Sequence, residues 1–124
     1  MNFRHGSLES IILNALWELE ANGVYKNSVK DVFDYICESQ TTKRAYTTVK
    51  TVMDRLYEKE VLLRIKQGKK FYYRTAYSNN DIIANSLKKI ALQYCNGDMN
   101  KLIQVASSIN SNDLNIVETK VNAG

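Results

Sequence analysis

Thr47, Lys50 and Thr51 are spaced so that, on a helix, their side chains share one side. Each brings a group able to read a base edge. An ammonium donates to guanine O6 or N7, and a threonine offers a hydroxyl to a base and a methyl to thymine. Around them in the chain stand Lys43, Arg44, Arg64, Lys69 and Lys70, cations suited to neutralising phosphates and fixing orientation without reading sequence. Residues 41–77 hold ten basic and three acidic side chains, a net of +7 in a chain of +4, so the remainder sums to −3. Charge concentrated in this way describes a polyanion-binding surface.

Other chemistry is poorly served. The single histidine, His5, lies near the terminus, no nucleophile stands beside a base, and no glycine-rich loop is present to cradle phosphate. We therefore expect no enzyme, no cofactor and no metal. Cys37 and Cys95 stand alone, too few for a disulfide framework and without the clustered partners of a zinc site. Both are expected as small buried hydrophobes in a reducing compartment. No run of about 18 apolar residues occurs, and MNFRHGSLES has no apolar leader, so a cytoplasmic protein with no membrane insertion is expected. A hydrophobic fraction of 44% suffices for a core.

The elements that must position these groups follow from periodicity. Ser7 can cap a first helix whose Leu8, Ile11, Ile12, Ala15, Leu16 and Leu19 form one face, ended by Asn22-Gly23. Trp17 lies off that stripe and reads as a partly buried packing residue. Ser28 and Asp31 form a capping-box pattern for a second helix with Val29, Val32, Phe33, Ile36 and Cys37 inward, and Val24–Asn27 before it reads as a short strand. A polar turn leads to a third helix with Ala45, Val49, Val52, Met53 and Leu56 on one side. Val61–Lys66, a turn at Gln67–Lys70 containing Gly68, and Phe71–Thr75 then read as a β-hairpin. This order predicts a winged helix-turn-helix in residues 1–77, mainly α with a small β-wing. Tyr46, Tyr57, Tyr72, Tyr73 and Tyr77 interleave with the cations. Packing is the leading reading for most of them, with Tyr46 assigned, like Thr48 and Arg55, to the nucleic-acid backbone.

Residues 78–124 differ in character. Ser78 and Asp81 form a capping-box pattern for an amphipathic helix with Ile82, Ile83, Leu87, Ile90, Ala91 and Tyr94. Asn96-Gly97 breaks it, and Asp98 caps another helix bearing Met99, Leu102, Ile103, Ala106 and Ile109. Two such helices after a complete winged domain leave apolar faces to cover. A helical dimerisation region, with Ile83, Leu87, Ile90, Tyr94, Leu102 and Ile103 at the interface, is the economical expectation. The last residues, from Asn110, are polar, with Leu114, Ile116 and Val117 reading as a marginal helix or a frayed tail.

With these segments in view, the chain resembles the penicillinase-repressor family, the BlaI/MecI group that also includes copper-responsive CopY repressors. The resemblance rests on LESIILNALWE in the first helix, on TTVKTVMDRLYEKEVLLRIKQGKKFYYR across the third helix and wing, on Asn80-Asp81 and on NGDMNKLI. It implies a homodimeric repressor on a short inverted-repeat operator in double-stranded DNA, often of TACA/TGTA type. It also implies Thr48, Lys50, Thr51 and Arg55 as recognition-helix positions, genes of the β-lactam-resistance type as candidate targets, and a membrane sensor protease or its signal upstream. Three departures limit the transfer, one being that the tail after Ile109 lacks the charged Leu-rich ending common in relatives. No C-terminal Cys-x-Cys pair is present, which disfavours copper sensing, and the cleavage-site neighbourhood reads Leu102-Ile103-Gln104-Val105-Ala106 with no Asn-Phe bond. The alternative is a winged-helix module that binds protein, which calls for apolar or acidic residues on the outer face of the third helix.

Overall fold

A computed structural model describes residues 7–39 and 44–110. The chain divides between Asn79 and Asn80 into two compact units. The first is built from α1 (Leu8–Ala21), α2 (Val29–Ser39), α3 (Tyr46–Glu58), β1 (Leu62–Gln67) and β2 (Lys70–Thr75). The second contains α4 (Asn79–Tyr94) and α5 (Met99–Ser107). Helices plus one antiparallel hairpin give the winged-helix architecture that the order of elements predicted.

Each helix of the first unit starts and stops for local reasons. Ser7 caps α1, its side chain accepting from the Ser10 amide. At the other end Gly23, at φ +88°, turns the chain left-handed, and the Val24 amide reaches back to the Leu19 carbonyl at 2.9 Å. The expected capping box on α2 forms reciprocally. The Ser28 amide donates to Asp31 Oδ2 at 2.9 Å, and the Asp31 amide donates to Ser28 Oγ at 3.1 Å. The end of α3 repeats the six-to-one bond of α1, Val61 to Leu56 at 2.9 Å, with Glu60 in the left-handed position at φ +66° where glycine would be unstrained.

The three helices bury one apolar stripe each. Ile12, Ala15 and Leu16 from α1, Val29, Val32 and Ile36 from α2, and Val49, Val52, Met53 and Leu56 from α3 form a single core, closed by Leu62 and Tyr73 of the hairpin. At roughly 1.5–3 kcal/mol for each large side chain removed from water, this cluster is the main source of the unit's stability. Trp17 is partly buried, and its indole N–H donates to the Tyr77 carbonyl at 3.1 Å. Glu20 ties α1 to β2 by accepting from both the amide and the hydroxyl of Thr75, at 2.8 and 2.6 Å.

Three expectations need correction. Cys37 is exposed and Cys95 only half-buried. The inward positions of α2 are Val29, Val32 and Ile36, and Cys37 lies one residue, about 100°, beyond that stripe. Ala45 is exposed as well, because it is the extended residue before α3. The segment Val24–Asn27 contributes a single bridge, Asn27 to Tyr73, in place of a strand, and Val24 and Tyr25 remain exposed.

In the second unit Asp98 caps α5, accepting from the amides of Asn100 and Lys101 at 2.9 and 3.3 Å. Asn96 and Gly97, both at positive φ, separate α4 from α5. Ala91 is the buried residue of α4, and α5 has none. Ile83, Leu87, Ile90, Leu92, Tyr94, Met99 and Ile103 are exposed, and Ile82 and Leu102 half-buried. The expected role of Leu114, Ile116 and Val117 falls outside the described residues.

Candidate nucleic-acid interface

α3 is two-sided. Val49, Val52, Met53 and Leu56 are buried, while Thr47, Thr48, Lys50, Thr51 and Arg55 are exposed. The hydroxyl-and-ammonium side therefore faces outward. Thr51 is partly committed, since its hydroxyl donates to the Thr47 carbonyl at 2.9 Å, one turn back. The residue as a whole remains exposed. Lys50 Nζ donates to Asp54 Oδ2 at 3.1 Å, also one turn away. That hydrogen bond, and then the carboxylate charge, hold the Lys50 pKa above its ordinary value.

The hairpin lies beside this helix. Gln67 pairs with Lys70, leaving Gly68 and Lys69 as a two-residue turn with Gly68 at φ +65°. Positive φ at the first turn residue is what a tight hairpin turn of the II′ kind requires. Lys69 and Lys70 are exposed there. A cleft of about 280 Å³ is lined by Tyr46, Lys50, Lys69, Lys70, Phe71 and Tyr73 together with Ser28, Val29 and Lys30 at the start of α2. The structure thus brings Tyr46, Lys50, Lys69 and Lys70 to one concave surface and adds Lys30, a residue the sequence reading did not select. Lys30 pairs with Asp34 at 3.1 Å on an exposed face. Its inclusion depends on the α2 start facing the wing, which helical spacing alone does not encode.

The other described cations of the segment do not line this cleft. Lys43 lies outside the described residues, and Arg44, just before α3, is half-buried. Arg64 is enclosed. Its guanidinium carbon sits 3.9 Å from the centre of the Tyr57 ring and 4.1 Å from that of Phe71, with Nη1 3.5 Å from the Tyr73 hydroxyl and 3.6 Å from Asp54 Oδ1. Burial works against its charge, yet Tyr73, Tyr57 and Asp54 together hold its pKa above the ordinary value. Lys59 is turned to α1, where it pairs with Glu9 at 2.9 Å. Arg74 sits opposite Leu63 in the hairpin register, with Ile65 and Tyr72 on the same face of the ribbon, the one away from Arg64 and Tyr73. The +7 of this segment is accordingly spread over several surfaces, and the face shared by α3 and the wing tip carries only part of it.

Sequence reasoning also missed the cluster joining the wing to α3. The Tyr73 hydroxyl donates to Asp54 Oδ1 at 3.1 Å, so Asp54 holds β2 through one oxygen and Lys50 through the other. Burial pushes the Tyr73 phenol up, and the Asp54 charge acts in the same direction. The alternation Arg64-x-Lys66 and Phe71-x-Tyr73 was a usable signal, since period two puts those residues on the hairpin face with Leu62.

Among the described residues no group of His, Cys, Asp or Glu is arranged to hold a metal ion. No helix among them is long and apolar enough to cross a membrane. A search of the curated proteins finds no match. Residues 5–122 of the 124-residue chain do match the Penicillinase repressor family. A helix-turn-helix core, a basic hairpin beside an outward polar helix face, and a family match over nearly the full length agree, and the chain belongs to the penicillinase repressor family of DNA-binding transcriptional regulators.

Proposed function

We propose that this protein is a homodimeric repressor that reads a short inverted-repeat operator, each subunit laying α3 in a major groove with its wing on the adjacent backbone. The observation that carries this reading is the outward face of α3. Thr47, Lys50 and Thr51 are exposed on the helix that the buried Val49, Val52, Met53 and Leu56 hold against the core. Lys50 donates to guanine, the two threonines contact base edges and thymine methyls, and Arg44, Tyr46, Thr48, Arg55, Lys69 and Lys70 engage phosphates. Lys43 belongs with this second group by its place in the chain. A scaffold module would call for apolar or acidic side chains on that face.

The dimer reading rests on α4 and α5, whose exposed Ile83, Leu87, Ile90, Tyr94 and Ile103 leave apolar surface that a second copy would cover, with Leu102 beside them. Genes of the β-lactam-resistance type are the first targets to assay, and a membrane sensor protease is the first upstream partner. The deciding experiment is selection of bound duplexes from a random pool. Recovered sequences are expected to share two inverted half-sites about one helical turn, ~10 bp, apart or a multiple of it. Recovery of no common sequence, or of a single unrepeated half-site, refutes the reading.

A further inference from the structure

We infer that Asp54 is a specificity-determining positioning residue, holding the Lys50 ammonium over the middle of the α3 reading face and locking that placement to the wing. The inference rests on the DNA-binding reading above and adds to it Asp54, which with the exposed Glu58 one turn on is an acid on the outer side of α3. A carboxylate beside a duplex repels phosphate, so its presence on this helix calls for a compensating role.

The geometry supplies one. Asp54 Oδ2 accepts from Lys50 Nζ at 3.1 Å, and Oδ1 accepts from the Tyr73 hydroxyl at 3.1 Å with Arg64 Nη1 at 3.6 Å. Arg64 is itself fixed between the Tyr57 and Phe71 rings, so the carboxylate is anchored on its wing side by a rigid stack. Tyr73 is buried and joined to Asn27 through both backbone groups, which removes its freedom to follow a moving Asp54. A free lysine on a four-carbon stem reaches the nearest phosphate as easily as a base, because its ammonium is a mobile point charge. Tethered to a residue one turn further along α3, Lys50 is kept over the helix face and away from the groove walls where phosphates lie. Asp54 thereby lowers affinity for any duplex and raises discrimination between duplexes. The same anchor sets the wing against α3, so the groove reader and the backbone contact at Lys69 and Lys70 move as one body.

The test is a double-mutant cycle on full-length protein, measuring affinity for the selected duplex and for a random duplex of equal length. Asp54→Asn is expected to bind the random duplex more tightly and to reduce the selected-to-random ratio by about 5-fold or more, the lower bound for one mispositioned base contact. In a Lys50→Ala background the same change is expected to leave the ratio unmoved. A residue acting only through its charge would strengthen both duplexes alike, and a merely structural residue would lower the ratio equally in both backgrounds. Either result overturns the inference. Tyr73→Phe, which keeps the Asp54–Lys50 pair and removes only the hydroxyl anchor, is the second variant and decides the matter if Asp54→Asn does not fold. It is expected to shift the ratio in the same direction, and an unchanged ratio counts against the inference. A wild-type protein that selects no duplex overturns the functional reading and this inference together. A selective wild type with an insensitive Asp54 overturns this inference alone.

Discussion

Replacing Lys69 by alanine separates backbone contact from base reading more cleanly than any other single change. Lys69 is the second residue of the wing turn, exposed, and forms no ion pair among the described residues. Its removal disturbs no packing. In a dimer the change removes two phosphate contacts, and each contributes about 0.9 to the slope of log affinity against log salt. The variant's slope is therefore expected to be shallower by about 1.8, so that its deficit relative to wild type is ~12-fold larger at 50 mM salt than at 200 mM. The deficit is expected to be equal on selected and random duplexes, because phosphate contacts carry no sequence information. Anisotropy titrations of both labelled duplexes across that salt range supply the slopes. Lys50→Ala provides the contrast, with a loss of about 5- to 150-fold on the selected duplex and little on random DNA. Parallel salt slopes for Lys69→Ala and wild type, or a Lys69 deficit confined to the selected duplex, would refute the assignment of the wing turn to phosphate.

Three further outcomes follow from packing and protonation. Glu60→Gly relieves a left-handed residue that costs about 1–2 kcal/mol and adds about 0.5–1 kcal/mol of glycine entropy, so a gain in stability of up to about 1 kcal/mol is expected in denaturant unfolding. The folded state holds the Tyr73 proton more tightly than the unfolded chain does. Its contribution is therefore full below pH 10 and is lost as pH rises through the elevated folded pKa; melting curves between pH 8 and 11 should show this loss and show it reduced in Tyr73→Phe. Tyr35, raised chiefly by its hydrogen bond to Glu18, and Lys50 act in the same direction, so the alkaline fall in the variant shrinks without vanishing. Leu87→Asp places a charge on the exposed apolar side of α4 and is expected to give monomers by analytical ultracentrifugation that hold the selected duplex poorly; an unchanged sedimentation mass would remove the dimer reading.

The elements were legible because their signals are local. Ser7, the Ser28–Asp31 pair, Gly23, Gly68 and Asp98 each act within a few residues, and the inward stripes of α1 and α3 follow from period alone. What stayed hidden depends on where separate elements meet. The charge of Arg64 is visible in the sequence, whereas the two rings beside it come from α3 and from the opposite strand. Lys59 was counted with the basic surface although α1 supplies its partner, Glu9, fifty residues away. Asp54 was not singled out from the sequence, because its partnerships with Tyr73 and Arg64 need the wing in place. Cys37 was misplaced by a smaller error, an apolar residue type outweighing an angle of about 100°.

The reading face of α3 is a poor helix by its own composition, and this offers a test of whether the face is kept for function. Thr47, Thr48 and Thr51 are among the weaker helix formers, and Ala45 at the N-cap makes no side-chain bond to the open amides. The Thr51 hydroxyl bonds back to the Thr47 carbonyl, an arrangement that slightly destabilises a helix. The helix therefore stands because four residues on its other side are buried. Thr51→Ala removes a branched side chain and its back-bond from an exposed site, and a gain of about 0.5 kcal/mol is expected on propensity grounds. The same change deletes the methyl and hydroxyl that the proposed reading brings to a base, so affinity for the selected duplex is expected to fall while affinity for random DNA holds. Stability and recognition moving in opposite directions at one exposed residue is the mark of a side chain retained for what it touches outside the fold. Denaturant unfolding and duplex titration on the same protein measure both, and a Thr51→Ala variant that is less stable, or equally selective, would show that residue to serve the helix and not the groove.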